Sequence, residues 1–172
     1  MSQSHPFTLI HWFGPFRLDD ILENNEWKWK TGLYLGIGKL KGSRKEGEIL
    51  YCGICEQSYA SRFKNHHKLP FITREQEIWL GQVASTPYPS NNGAYKAYLK
   101  EPERLLTYFM QPALNDRNTI LIPRVGTVLN YWFKPNGQSR KKRLSTTLNL
   151  PDIISWDGEK WRSGNLRIED NE

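Results

Sequence analysis

Two short stretches, residues 31–38 and 48–55, constrain this chain most, because each sets apolar side chains at every second position. In the first, Leu33, Leu35 and Ile37 interleave with Tyr34, Gly36 and Gly38, the pattern of a strand with one buried face. On that reading Tyr34 points away from the core. In the second, Leu50, Cys52 and Ile54 share one face, and Ile49, Tyr51, Gly53 and Cys55 share the other. Each tyrosine is followed two positions on by a glycine, so it lies beside a missing side chain. Glycine inside a strand weakens it and marks the close approach of a ligand or another backbone. Paired as a hairpin, the strands would present two phenols over a groove floored by bare backbone. Taken singly, each tyrosine also fits an ordinary cross-strand aromatic pair.

The residues that follow bring polar chemistry to this hairpin. Residues 58–68 read as a helix in which Tyr59, Arg62, Phe63 and His66 recur at spacings of three and four and so share one side. The arginine fork suits phosphate oxygens, and histidine carries the proton most easily moved near neutral pH. The same pair also fits a solvated basic helix face. A second helical run opens at residues 101–104, with Leu105, Leu106 and Phe109 inward and Pro102 at the first position, where its missing N–H is harmless. Glu103 then falls in the first turn, a place the helix dipole favours for any acid. Pro112 and Asn115 follow Glu103 by nine and twelve residues.

In this order, Gly32-Leu33-Tyr34, Tyr51-Cys52-Gly53, Arg62, His66, Glu103, Pro112 and Asn115 resemble the GIY-YIG nuclease superfamily. The resemblance implies an α+β fold with a three-stranded mixed sheet flanked by helices over residues 31–116. A helical lead-in over 1–30 and a small β-rich C-terminal extension over 117–172 would complete a single domain. It implies a metal-dependent endonuclease that hydrolyses phosphodiester bonds of DNA, of a restriction or mobile-element type. The alternative is a non-catalytic nucleic-acid-binding protein that keeps the fold. Tyr34, Tyr51, Arg62, His66 and Glu103 would be catalytic, with Gly36, Gly53 and Asn115 supporting them. Glu103 would hold one Mg²⁺ or Mn²⁺, hard cations that take oxygen ligands and keep several waters. Arg62 would offset charge on the phosphate. Tyr34 is the favoured base, with Tyr51 and His66 positioning water or relaying a proton. A free phenol, with pKa near about 10, needs help in that role.

The chain departs from the family pattern in three places. Leu33 and Cys52 replace the isoleucines of the family name, Arg62 lies eleven residues after Tyr51, one more than expected, and Ile54 stands where some members carry lysine. Any lysine role would then fall to Lys39, Lys41 or Lys64, or be absent.

Composition agrees with a polyanionic partner. The 172 residues carry a formal charge of +6 and a pI near 9.3, which favours polyanionic partners; the resemblance implies that the partner is DNA, double-stranded above all. Lys39, Lys41, Arg44 and Lys45 cluster between the two strands, Lys64 lies on the helix, and Lys134, Arg140, Lys141, Lys142 and Arg143 cluster later. Such groups neutralise phosphates, and the run 140–143 also resembles a nuclear-import signal. No segment reaches the roughly 18 apolar residues of a membrane span, and the first six residues lack the pattern of a secretory signal. Two cysteines three apart make a poor disulfide framework, so a reducing, cytoplasmic location is expected. A homodimer is among the assemblies the sequence allows.

Cys52 and Cys55 with His66 and His67 also resemble a zinc-ligand set. Strand alternation, however, sends the cysteines to opposite faces, and adjacent histidines on a helix diverge by about 100°. Elsewhere, residues 11–22 read as a short helix, 77–84 as a third strand, and 85–93 as a loop. Residues 119–125 and 128–133 read as strands, and 153–162 as a hairpin turning at Asp157-Gly158. Trp132, Trp156 and Trp161 suit either base stacking or a small β core.

Overall fold

The computed structural model describes residues 4–85 and 97–169; most of the expected loop 85–93 lies outside them. Seven strands, β1 (Phe7–Phe16), β2 (Gly32–Leu40), β3 (Glu48–Cys55), β4 (Ile72–Val83), β5 (Gly126–Phe133), β6 (Ile153–Trp156) and β7 (Trp161–Gly164), form one sheet in the order β3-β2-β4-β1-β5-β6-β7. Every neighbouring pair is antiparallel except β1 and β5. The helices are α1 (Leu18–Glu23), α2 (Tyr59–Lys64) and α3 (Ala97–Met110).

This overturns the expected three-stranded sheet flanked by helices. The described residues are mostly β, with a single mixed, curled sheet of seven strands among them. The N-terminal lead-in is responsible for much of the difference. Residues 7–16 bury every second side chain, Thr8, Ile10, Trp12, Gly14 and Phe16, so they form a strand where a helix was expected from residue 11. Only α1 is helical there. That strand pairs with β4 on one side and β5 on the other, so the C-terminal segment continues the sheet instead of packing against it. Residues 119–125 are not a strand, whereas the β5 strand and the 153–162 hairpin form as expected.

The sheet has a core on each face. Leu33, Leu35, Ile37, Cys52, Ile10, Trp12 and Trp79 pack with Leu99, Leu105 and Leu106 of α3. Tyr34, Leu50, Cys55, Ile72, Ile78 and Leu80 pack with Ile21, Trp27, Tyr59 and Phe63 from α1, α2 and the intervening chain. Tyr34 therefore points into a second core and is fully buried, against the expectation that it faces outward. Period-two alternation separates the two faces of a strand but cannot say that the far face is covered as well. A register shift between Gly36 and Ile37 leaves Leu50 without an opposite residue. This bulge sends Ile49 to the α3 side and Leu50 to the other, reversing their expected faces.

Two of the basic residues expected to contact DNA are part of this framework. The Arg140 guanidinium lies over the Trp79 ring and donates to the Gly14 carbonyl at 2.7 Å. Arg143 lies over Trp132, pairs with the buried Asp152 at 3.2 Å and donates to the Thr147 and Leu150 carbonyls. Each guanidinium is thus held by the fold through its ring contact and its terminal nitrogens, while the buried Nε of each has no hydrogen-bond partner among the described residues. Trp132 fills the core, and Trp156 and Trp161 stack on each other against it. Lys39 pairs with Glu75 at 2.8 Å, while Lys41, Arg44, Lys64, Lys141 and Lys142 are exposed.

Arg143→Ala leaves the Asp152 carboxylate buried without its cation, a change that costs about 3 kcal/mol. Lys142→Ala, at an exposed neighbour, should stay within about 0.5 kcal/mol. Urea unfolding of the two variants measures the contrast, and equal midpoints would return Arg143 to the solvated surface.

Candidate active site

The site is built where β2, β3 and α2 meet. Ser58 caps α2 by accepting the Ser61 N–H at 3.1 Å. Tyr59 and Phe63 bury one side of this helix, and the Tyr59 hydroxyl donates to the Leu33 carbonyl at 2.8 Å. Arg62, on the adjoining side, is thereby carried to the level of the tyrosine pair.

In the β2–β3 ladder Tyr34 lies opposite Gly53, and Tyr51 lies opposite Gly36. Both phenols occupy the space left by Gly53, whereas Leu69 and Ile72 fill the space beside Gly36. The rings stack at 5.8 Å between centroids. A Cβ at Gly53 would stand 2.7 Å from both the Tyr34 oxygen and the Tyr51 ring, so this position tolerates no side chain.

The Tyr34 oxygen is the point on which the polar groups converge. Arg62 Nε donates to it at 2.9 Å, and His66 Nε2 lies 2.7 Å away. His66 does not share the helix with Arg62 as expected, since α2 ends at Lys64. The following turn orients it instead. Its Nδ1 accepts the N–H groups of Lys68 and Leu69, both at 3.0 Å. An accepting Nδ1 leaves the ring proton on Nε2, which donates to Tyr34. Burial, aided by Arg62 and His67, lowers the His66 pKa to about 4 and keeps the ring neutral. Burial, then the adjacent Tyr51, drive the Tyr34 phenol well above its ordinary range, although Arg62 opposes them.

Tyr51 is half-buried and lines a cleft of about 600 Å³ together with Arg62, His66, Glu103 and Asn115. Arg62 Nη2 reaches the Tyr51 oxygen at a longer 3.5 Å. The sequence-predicted groups therefore come together around one cleft, with Tyr34 one layer behind it.

Glu103 approaches from α3, on the opposite face of the sheet from Tyr34. It lies in mid-helix, because α3 already runs from Ala97, and Pro102 sits inside the helix and not at its start. Asn118 Nδ2 donates to its Oε2 at 3.3 Å. Burial pushes its pKa up to about 7, with Arg104, Arg62 and Lys100 opposing and Glu56 adding. Asn115 ties the end of this segment to the edge strand. Its side-chain amide exchanges two hydrogen bonds with the Cys52 backbone, at 2.9 and 2.8 Å, and Leu114 N–H donates to the Leu50 carbonyl at 2.9 Å.

Cations missing from the sequence-based set line the same cleft: Lys68, Lys100, Arg104 and Arg117. Lys100 and Glu103 are one helical turn apart, a spacing legible in the sequence. Arg117 and Asn118 lie on irregular chain, where no periodicity marks them. Lys39, Lys41, Arg44 and Lys64 do not line the cleft.

Cys52 and Cys55 are free, buried thiols on opposite faces of β3, and no group of three or more His, Cys, Asp and Glu fit for a metal occurs among the described residues. A hard cation that retains its waters needs less protein. Glu103 presents a carboxylate to the cleft, reluctant to ionise alone, with Asn118 as its one hydrogen-bond partner among the described residues. This oxygen donor fits Mg²⁺ or Mn²⁺. No helix of the described residues is long and apolar enough to cross a membrane. Compared with models of protein families, with curated proteins and with solved structures, the chain matches none.

A carboxyl whose folded pKa is raised binds its proton more tightly in the native state, so its contribution to stability falls as pH rises from about 4.5 to about 7. His66 acts in the opposite sense below about 6.5, because protonation favours the unfolded chain. The difference in unfolding free energy between wild type and Glu103→Gln isolates the carboxyl. The variant should gain on the order of 2 kcal/mol relative to wild type between pH 4.5 and 8, and Mg²⁺ should narrow the gap. A difference independent of pH would mean that Glu103 ionises freely.

Proposed function

We propose that the chain is a metal-dependent endonuclease that hydrolyses phosphodiester bonds of DNA, most simply as a stand-alone nuclease of restriction or mobile-element type. The observation that carries this reading is the convergence of Tyr51, Arg62, His66 and Glu103 on one cleft rimmed by Lys68, Lys100, Arg104 and Arg117. The order of these residues in the chain, which resembles the GIY-YIG nucleases, supports it independently.

Each group has a distinct task in this mechanism. Glu103 would hold one divalent ion, which when bound polarises the scissile phosphate and stabilises the leaving 3′ oxygen. Arg62 places a fixed guanidinium beside the phosphate, where charge develops in the transition state. Its Nε is already committed to Tyr34, so the fork is oriented before substrate arrives. Tyr51 is the phenol that can touch the reacting water, because its oxygen borders the cleft while that of Tyr34 is enclosed. This reverses the expected preference for Tyr34, which becomes the group that positions Arg62 and His66. His66 is likewise a positioning residue: Nδ1 is filled by two backbone donors and Nε2 by its own proton, so the ring has no lone pair for a proton relay. The cations around the rim bind the strand on either side of the bond.

Plasmid nicking with Mg²⁺ or Mn²⁺ tests the proposal. Glu103→Gln should abolish turnover while DNA binding persists, and Arg62→Ala should lower it by about 10²–10³. Tyr51→Phe should lower turnover by about 10²–10⁴ at unchanged stability, whereas Tyr34→Phe should also lower the melting temperature. Undiminished nicking by Glu103→Gln would remove the carboxylate from the site. Tight DNA binding by the wild type without turnover in either metal would leave a non-catalytic nucleic-acid-binding protein.

A further inference from the structure

Three consecutive aliphatic side chains stand in solvent beside the cleft: Ile120 is 82 % exposed, Leu121 82 % and Ile122 64 %. Single exposed apolar residues are ordinary, but a contiguous run marks an interaction surface. The segment is held on both sides. Upstream, Asp116, Arg117 and Asn118 line the cleft, Asn118 donates to Glu103, and the Thr119 carbonyl accepts from Gln111 Nε2 at 2.9 Å. Downstream, Pro123 is buried just before β5 begins at Gly126. The three side chains are thus the tip of a short protrusion rooted in the wall that carries Glu103.

The reach of this tip can be bounded. Leu121 lies three positions beyond Asn118, and such a length spans at most about 11 Å, about three nucleotide rises of ~3.4 Å. Exposed arginines, Arg117 and Arg124, flank the apolar run. An apolar tip between two cations, continuous with a cleft rimmed by Lys68, Lys100 and Arg104, matches a duplex in both respects: the stacked faces of its bases are apolar and its backbone is anionic.

Resting on the nuclease reading, we propose that Ile120, Leu121 and Ile122 form a wedge that enters the duplex within a few nucleotides of the bond held in the cleft and parts one base step. Arg117 and Arg124 neutralise the phosphates on either side of the opening. Apolar side chains inserted in this way unstack the step and kink the duplex, at a cost of a few kcal/mol. That cost is smallest where the stack is already weak, so the substrate class is duplex DNA with a mismatch, a bulge or a flexible pyrimidine–purine step near the cleaved bond.

The test uses the full chain in EDTA, so that binding is read without cleavage, with duplexes carrying 2-aminopurine at successive positions and either matched or containing one mismatch. Wild type should raise the fluorescence at one step only and bind the mismatched duplex about tenfold more tightly than the matched one. The variant Ile120→Ser/Leu121→Ser/Ile122→Ser should lose both effects. Because it removes no charge, it should keep the salt dependence of binding and, lying in solvent, its melting temperature. DNA binding by both proteins with no fluorescence change and equal affinities would overturn the wedge and leave the nuclease reading standing. Absence of DNA binding by wild type would overturn both. A wild-type dimer converted to monomer by the triple serine variant, or wild-type binding to neutral phosphatidylcholine vesicles that the variant lacks, would assign the tip to self-association or to lipid and overturn the wedge.

Discussion

The enclosed oxygen of Tyr34 is the interaction on which the rest of the candidate site depends. It receives donors from Arg62, on α2, and from His66, on the turn that follows. It thereby ties two separately placed side chains to β2, the strand next to the edge of the sheet. Its position is made possible by backbone: Gly53 lies opposite Tyr34, and any side chain there would collide with both phenols. Arg62 and His66 satisfy this buried oxygen as an acceptor, which is a condition for a polar group to persist inside a core. The two tyrosines consequently differ in depth and in use. One organises the site and the other meets the cleft.

Glu103 reaches this arrangement round the edge of the sheet. α3 packs on the face of Leu33, Leu35 and Cys52, whereas Tyr34 and α2 belong to the other face. Because β3 is the terminal strand, no further strand separates the two layers there. An open strand edge invites unwanted pairing. Here the Asn115 amide and the Leu114 N–H satisfy backbone groups of Cys52 and Leu50. The same hydrogen bonds that cover the edge also fasten the chain leaving α3 beside the tyrosine pair.

Positive charge divides into two populations with different consequences. Arg140 and Arg143 lie over tryptophans and donate to backbone carbonyls or to Asp152, joining the C-terminal strands to the sheet. Lys68, Lys100, Arg104 and Arg117 surround the cleft, the first three in ion pairs with Asp116, Glu56 and Glu101, and under the proposed function these are the cations that would meet the substrate. Net charge describes the sum of the two populations. Only their placement separates cations that hold the fold from cations able to meet phosphate.

By itself, the sequence determined the strand geometry of the tyrosine pair. Alternation in residues 31–38 and 48–55 marked two strands and put Tyr34, Gly36, Tyr51 and Gly53 on one side, since that pattern depends only on neighbours along the chain. The order Tyr34, Tyr51, Arg62, His66, Glu103 and Asn115 likewise identified the groups that meet. Tertiary structure alone decided how deep each one lies. Tyr34 is buried because α1 and α2 cover its face, His66 is aimed by a turn and not by helical spacing, and the three-stranded sheet becomes one end of seven strands because β1 joins β4 to β5. Each of these rests on contacts between residues distant in the chain, and burial and sheet extension leave no periodic trace in the strand that undergoes them.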